Sequence, residues 1–113
     1  VQEDGSVVCR FIVEKKHLNG GGAVHGGCLM TFADYACFAI AENAIDGRAV
    51  SVNLSGDFLS AGFEGETLEA TGEVTRAGGR LVYVRGIVRK LDGKAVLSFT
   101  SVLSKVSFPR TAG

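Results

Sequence analysis

Charge of either sign is missing in excess: 12 basic residues face 12 acidic ones. A nucleic-acid-binding chain is expected to be basic overall, so the balance argues against that class. A long hydrophobic run is missing too. The longest apolar stretch, Gly27–Ala41, falls short of the roughly 20 residues a bilayer needs, and Asp34 interrupts it. No charged-then-apolar leader stands at the start, so no signal peptide is expected. Cysteine is sparse: Cys9, Cys28 and Cys37 form no CxxC pair and share no zinc-like spacing with histidine. An odd count without motif fits reduced thiols in the cytoplasm. Cys28 and Cys37 then serve as small hydrophobes, and metal ligation is not expected. Proline occurs once, as Pro109. No linker, repeat or low-complexity segment breaks the chain, and 46% hydrophobic content argues against disorder. Residues 1–113 therefore read as one domain.

What is present is two kinds of periodicity. Residues 6–15 are β-branched and aromatic and read as a strand. Residues 16–25 read as a loop, with Asn19 and three consecutive glycines. Residues 26–45 are rich in Ala, Leu, Met and Phe, which predicts a helix that Asp46-Gly47 would stop. It is apolar nearly all round and should be buried. From Arg48 the period changes to two. Val50, Val52 and Leu54 alternate with Ser51, Asn53 and Ser55; Leu68, Ala70, Gly72 and Val74 alternate with polar residues. The strands LVYVRGIVRK and AVLSFTSVLSKV follow, with turns at Ala77–Arg80 and Leu91–Lys94. The fold class is α+β, one antiparallel sheet with a long helix on its concave face. A single sheet covers only part of such a helix, so a second subunit is expected to cover the rest.

The chemistry gathers at that helix. Asp is a poor helix former and costly to bury unpaired. Asp34 is thus either a carboxylate satisfied at a polar gap or a catalytic acid. His25-Gly26-Gly27 opens the helix. The three are either a tight turn or a helix N-terminus whose bare N–H groups meet a substrate oxygen, glycine allowing close approach. Gly26 and Asp34 are eight residues apart on one helix, or about 12 Å. If both act on one substrate, Gly26 must come from one subunit and Asp34 from another, across antiparallel helices. Asn19 would be a turn residue or a donor to a substrate carbonyl; Ser51 lies on the polar face of its strand.

Asn19, His25-Gly26-Gly27 and Asp34, followed by Val50-Ser51-Val52, Phe58-Leu59-Ser60-Ala61 and Gly65-Glu66, resemble the hotdog-fold acyl-CoA thioesterases. The nearest group is the phenylacetic-acid-degradation type, within the 4-hydroxybenzoyl-CoA thioesterase superfamily. The resemblance covers roughly residues 6–106. It implies a curved antiparallel sheet wrapped round one long buried helix, and dimers paired into a homotetramer. It implies hydrolysis of aryl or fatty acyl-CoA, with Asp34 as general base or nucleophile and the Gly26 N–H as oxyanion donor. Gly27 would line the substrate, Asn19 and His25 would position substrate or water, and Ser51 would help orient the water. No metal and no cofactor would be needed, coenzyme A being part of the substrate. The CoA diphosphate wants cations. Arg76, Arg80, Arg85, Arg89, Lys90 and Lys94 lie in the hairpin region, with Arg80 and Arg85 as candidates.

Two alternatives remain at this stage. Hotdog acyl dehydratases or hydratases carry a His-containing loop richer in proline than this one. Non-catalytic acyl-CoA-binding hotdog modules lack the helix acid that Asp34 supplies. Phe32, Tyr35, Phe38, Phe58 and Phe63 are candidates for an aromatic-acyl pocket.

Overall fold

The computed structural model describes residues 6–45 and 47–106. The elements run β1 (Cys9–Ile12), a 3-10 turn (Lys15–His17), α1 (Gly26–Ile40), β2 (Arg48–Phe58), β3 (Thr67–Gly78), β4 (Leu81–Lys90) and β5 (Ala95–Val106). All pairings are antiparallel, in the order β1-β3-β4-β5-β2. The chain order thus yields the expected meander of β3, β4 and β5, with β1 and β2 at the two edges. The curled sheet holding one helix is the hotdog architecture.

Local chemistry accounts for most boundaries. The two tight turns need positive φ, which glycine supplies: Gly79 stands at φ 59 and Gly93 at φ 95. Asp92 Oδ1 also accepts from the Lys94 N–H at 2.8 Å. The first strand is shorter than residues 6–15. The Glu14 N–H donates to His17 Nδ1 at 2.8 Å, drawing the chain into a 3-10 turn. The helix is shorter than residues 26–45 as well. After Ile40 the N–H groups of Glu42 and Ala44 reach Ala39 O and Ala41 O, three residues back instead of four, so the ladder gives way to turns. Of the expected stop, Asp46 lies outside the described residues, while Gly47 has φ 108.

The helix buries one stripe, Leu29, Phe32, Ala33, Ala36 and Cys37, at the spacing of a single helical face. It packs on Leu68, Ala70, Val82, Val84, Val88, Leu97, Phe99 and Leu103 of the sheet. The opposite side, with Gly27, Thr31 and Tyr35, is exposed, so one chain does not surround the helix. The strands crowd one another where Gly72 pairs with Gly86 and Gly86 with Phe99, and Ile40 of the helix reaches Gly72, where a Cβ would stand 3.0 Å from its Cδ1. A Cβ at Gly72 would stand 2.3 Å from Arg85 O, and one at Gly86 would stand 2.4 Å from Phe99 Cζ.

β2 departs from simple alternation. A bulge between Ser51 and Asn53 shifts the register. Ser51 therefore pairs opposite buried Leu103 and Leu54 opposite buried Ser101, both on the helix side. Val50 and Val52 are left 48% and 56% exposed on this edge strand. No helix among the described residues is long and apolar enough to cross a membrane.

Candidate active site

The start of α1 is built by His25. Its backbone is extended (φ −66, ψ 134), and its Nδ1 accepts from the Gly27 N–H at 3.1 Å. A neutral ring that accepts at Nδ1 carries its proton on Nε2, a free donor at the helix start. The His25 carbonyl takes the N–H groups of Cys28 and Leu29, at 2.9 and 3.1 Å. The first helical turn thus has three of its N–H groups engaged. The Gly26 N–H has no acceptor among the described residues. No acidic side chain occupies that turn, so the partial positive charge there is uncompensated by the chain.

Asp34 sits on the same helix, half-buried, and Ser51 Oγ donates to its Oδ1 at 2.6 Å. That is the length of a charge-assisted O–H···O⁻ bond. The β2 bulge makes the contact possible by turning Ser51 to the helix. Around the pair lies an open cleft of about 450 Å³, also lined by Met30, Thr31 and Asn53. Thr31 and Asn53 escaped the sequence reading. Thr31 precedes Asp34 by one helical turn, a legible signal; no local spacing marks Asn53. The charge of Asp34 is felt one turn on. Burial pushes the Cys37 thiol up to about 11, with Asp34 adding to the rise and hydrogen bonding to Ser101 opposing it.

The remaining candidates lie apart. Asn19 Oδ1 accepts from the N–H groups of Gly21 and Ala23, at 2.8 and 3.2 Å, and so shapes its own loop. Arg80 is in the exposed β3–β4 turn. Arg85 is exposed on β4 between inward-facing Val84 and Gly86, and pairs with Glu73 at 3.3 Å. The basic residues of the hairpin do not form one cluster. Arg80 and Lys90 stand at opposite ends of β4, and Lys90 pairs with Glu66 at 3.1 Å. Within one chain, Gly26 and Asp34 remain about 12 Å apart along the helix.

The geometry is a carboxylate with a hydroxyl partner, a bare helix N–H, and no described residue joining the two. A family model described as the thioesterase superfamily matches residues 21–97. This chain belongs to the thioesterase superfamily. Acyl-coenzyme A thioesterase PaaI of Escherichia coli K12 is 41% identical over 76 residues, covering 67% of this chain and 54% of PaaI. Human acyl-coenzyme A thioesterase 13 is 29% identical, covering 81% of this chain and 67% of the relative. The chain thus spans about half to two thirds of the length of these relatives. The solved structure of PaaI superposes with a TM-score of 0.83 at 30% identity, over 91% of this chain and 74% of that one. A Streptococcus mutans UA159 protein bound to acetyl CoA superposes with a TM-score of 0.82 at 26% identity, over 91% and 82%. In sequence and fold the chain is thus a PaaI-like hotdog member of that superfamily. The matched segment holds His25, Gly26, Asp34, Ser51, Arg80 and Arg85; Asn19 lies outside it.

Proposed function

We propose that this thioesterase hydrolyses aryl or fatty acyl-CoA to the free acid and CoA, at a site shared between two subunits. One observation carries the proposal. A single helix holds the bare N–H of Gly26 at its start and the Asp34–Ser51 pair about two turns on, too far apart to serve one carbonyl. A second copy running antiparallel would set Gly26 of one chain beside Asp34 of the other, twice per dimer. The uncovered helix face at Tyr35 and the edge strand with Val50 and Val52 offer that copy apolar surface and open backbone. Two dimers then pair into a tetramer.

In this arrangement the thioester carbonyl accepts from the Gly26 N–H, whose dipole favours the developing oxyanion. Asp34 acts as general base on water, or as nucleophile, and Ser51 holds its Oδ1 so that Oδ2 faces the reacting carbon. The His25 Nε2–H and the Asn19 Nδ2 are the free donors that position substrate or water. Gly27 lets the substrate approach the helix, and Arg80 and Arg85 offer charge to the CoA phosphates. Water and the substrate complete the reaction without metal or cofactor. The free thiols of Cys9, Cys28 and Cys37 accord with a reducing cytoplasm.

The test is thiol release from a panel of aryl and fatty acyl-CoA thioesters, with wild type beside Asp34→Ala. Wild type is expected to turn over. Asp34→Ala should lose about 10²–10⁴-fold in kcat while its oligomer survives. A near-normal rate in the variant would remove Asp34 from the chemistry. No turnover of any thioester by wild type, with acyl-CoA still bound, would make the protein a binding module.

A further inference from the structure

Beside the start of α1 lies a second recess, of about 380 Å³, walled by Val24, Gly26, Leu29, Phe58, Leu59 and Ser60. Phe58 ends β2 opposite buried Leu97, yet it is 56% exposed. The outer end of its ring stands beside Gly26, where a Cβ would lie 3.2 Å from Cζ and 3.4 Å from Cε1. The bare N–H of Gly26 and the half-exposed Phe58 ring are therefore neighbours.

The recess is chemically one-sided. It is lined by no charged side chain, and Ser60 Oγ already donates to Ala95 O at 2.6 Å. The N–H of Val24 is engaged by Gly62 O at 2.7 Å, and those of Leu59 and Ser60 by Val96 O at 2.8 and 3.4 Å. The amide-bearing arm of CoA would find these three N–H groups already engaged, and each carbonyl it buried unpaired would cost about 1–3 kcal/mol. A diphosphate would find no cation. An apolar group loses no hydrogen bond on entry and gains burial. The Asp34 cleft, with Thr31, Ser51 and Asn53, is polar by comparison.

Of the other aromatic candidates, Phe38 packs partly buried against the core. Phe32 is buried and meets Phe11 edge to face, and Phe63 lies under Lys90. Tyr35 is on the exposed helix face.

Building on the shared-site hydrolysis above, we infer that this recess receives the acyl group, an uncharged apolar chain or ring, and that Phe58 sets the preference for such groups over acetyl. With the carbonyl oxygen on the Gly26 N–H, the acyl group lies along the Phe58 ring and the CoA arm leaves on the other side.

The test measures kcat/KM for acetyl-, hexanoyl- and benzoyl-CoA, and inhibition by free CoA, in the full chain. Phe58→Ala should lower the hexanoyl-to-acetyl and benzoyl-to-acetyl ratios roughly tenfold, with CoA inhibition unchanged. Ala61→Phe, which fills the same recess from an exposed position, should lower both ratios too, and it decides the matter should Phe58→Ala fail to fold. Unchanged ratios in an active enzyme would overturn the inference and leave the hydrolase reading standing. Weakened CoA inhibition would assign the recess to the CoA arm and overturn the inference. A wild type inert on every thioester would overturn both.

Discussion

An aspartate in the middle of an apolar helix needs a reason, and here it has a partner. Ser51 Oγ reaches Asp34 at 2.6 Å from the neighbouring strand. Asp34 is half-buried and Ser51 exposed, at the edge of a cleft where carboxylate and solvent still meet. Deeper in, on the buried stripe of the same helix, Cys37 shows what full burial does to an ionisable group. Its thiol is raised to about 11 from 9.0. Because the folded value is the higher one, the folded chain holds the proton while the unfolded chain has already lost it. The resulting stability is fully present below about pH 9 and is lost as pH rises towards 11. Cys9 and Cys28 are raised by burial in the same direction. Urea midpoints measured between pH 8.5 and 11 are expected to fall, and to fall less steeply in Cys37→Ala. An equal slope in the variant would show that Cys37 does not titrate in this range.

At the scale of elements, the packing of the middle strands is set by the absence of side chains at two glycines. Gly72 and Gly86 face each other across β3 and β4, and the Phe99 ring fills the space that a Cβ on Gly86 would take. Gly86→Ala forces a Cβ to 2.4 Å from Phe99 Cζ and 2.6 Å from Thr71 O, the second being backbone that cannot move aside. The expected cost is about 1–3 kcal/mol, or a fall in Tm of roughly 4–8 °C per kcal/mol. Thermal unfolding of the variant checks it. A Tm within a degree of wild type would mean that the sheet yields at this point. The same scale explains Ser51. Strict alternation would have placed it away from the helix, and the bulge returns it.

For the whole molecule the decisive question is whether one chain holds a complete site. Gly26→Pro removes the N–H while keeping the helix start. Proline suits the first helical position, and His25 already has the extended backbone that a following proline requires. The ring must displace the Phe58 side chain by a few tenths of an ångström. Gly26→Pro and Asp34→Ala are each expected to be inactive. Unfolded together and refolded as mixed dimers, they should recover about a quarter of wild-type activity, since half the dimers are mixed and each has one intact site. No recovery, with mixed dimers present, would place the whole site within one chain.

Much of this was legible in local pattern. The period-two strands, the glycine turns at Gly79 and Gly93, the helix opening at His25 and the anomaly of Asp34 depend on residues close in sequence, so the sequence by itself determined them. It likewise determined the separation of about 12 Å between Gly26 and Asp34, which follows from helix rise alone and on which the proposed sharing of the site between two chains rests. The helix end, the β2 bulge that turns Ser51 to Asp34, the loop role of Asn19 Oδ1 and the placement of Phe58 over Gly26 were not legible. Each depends on how one segment meets another distant in the chain: register between β2 and β5, or closure of β2 against α1. Pairing across such separations is chosen by the packing of the whole core, and no local spacing encodes it. The tertiary structure alone decided which face of β2 meets the helix, and with it the two clefts beside Asp34 and Gly26.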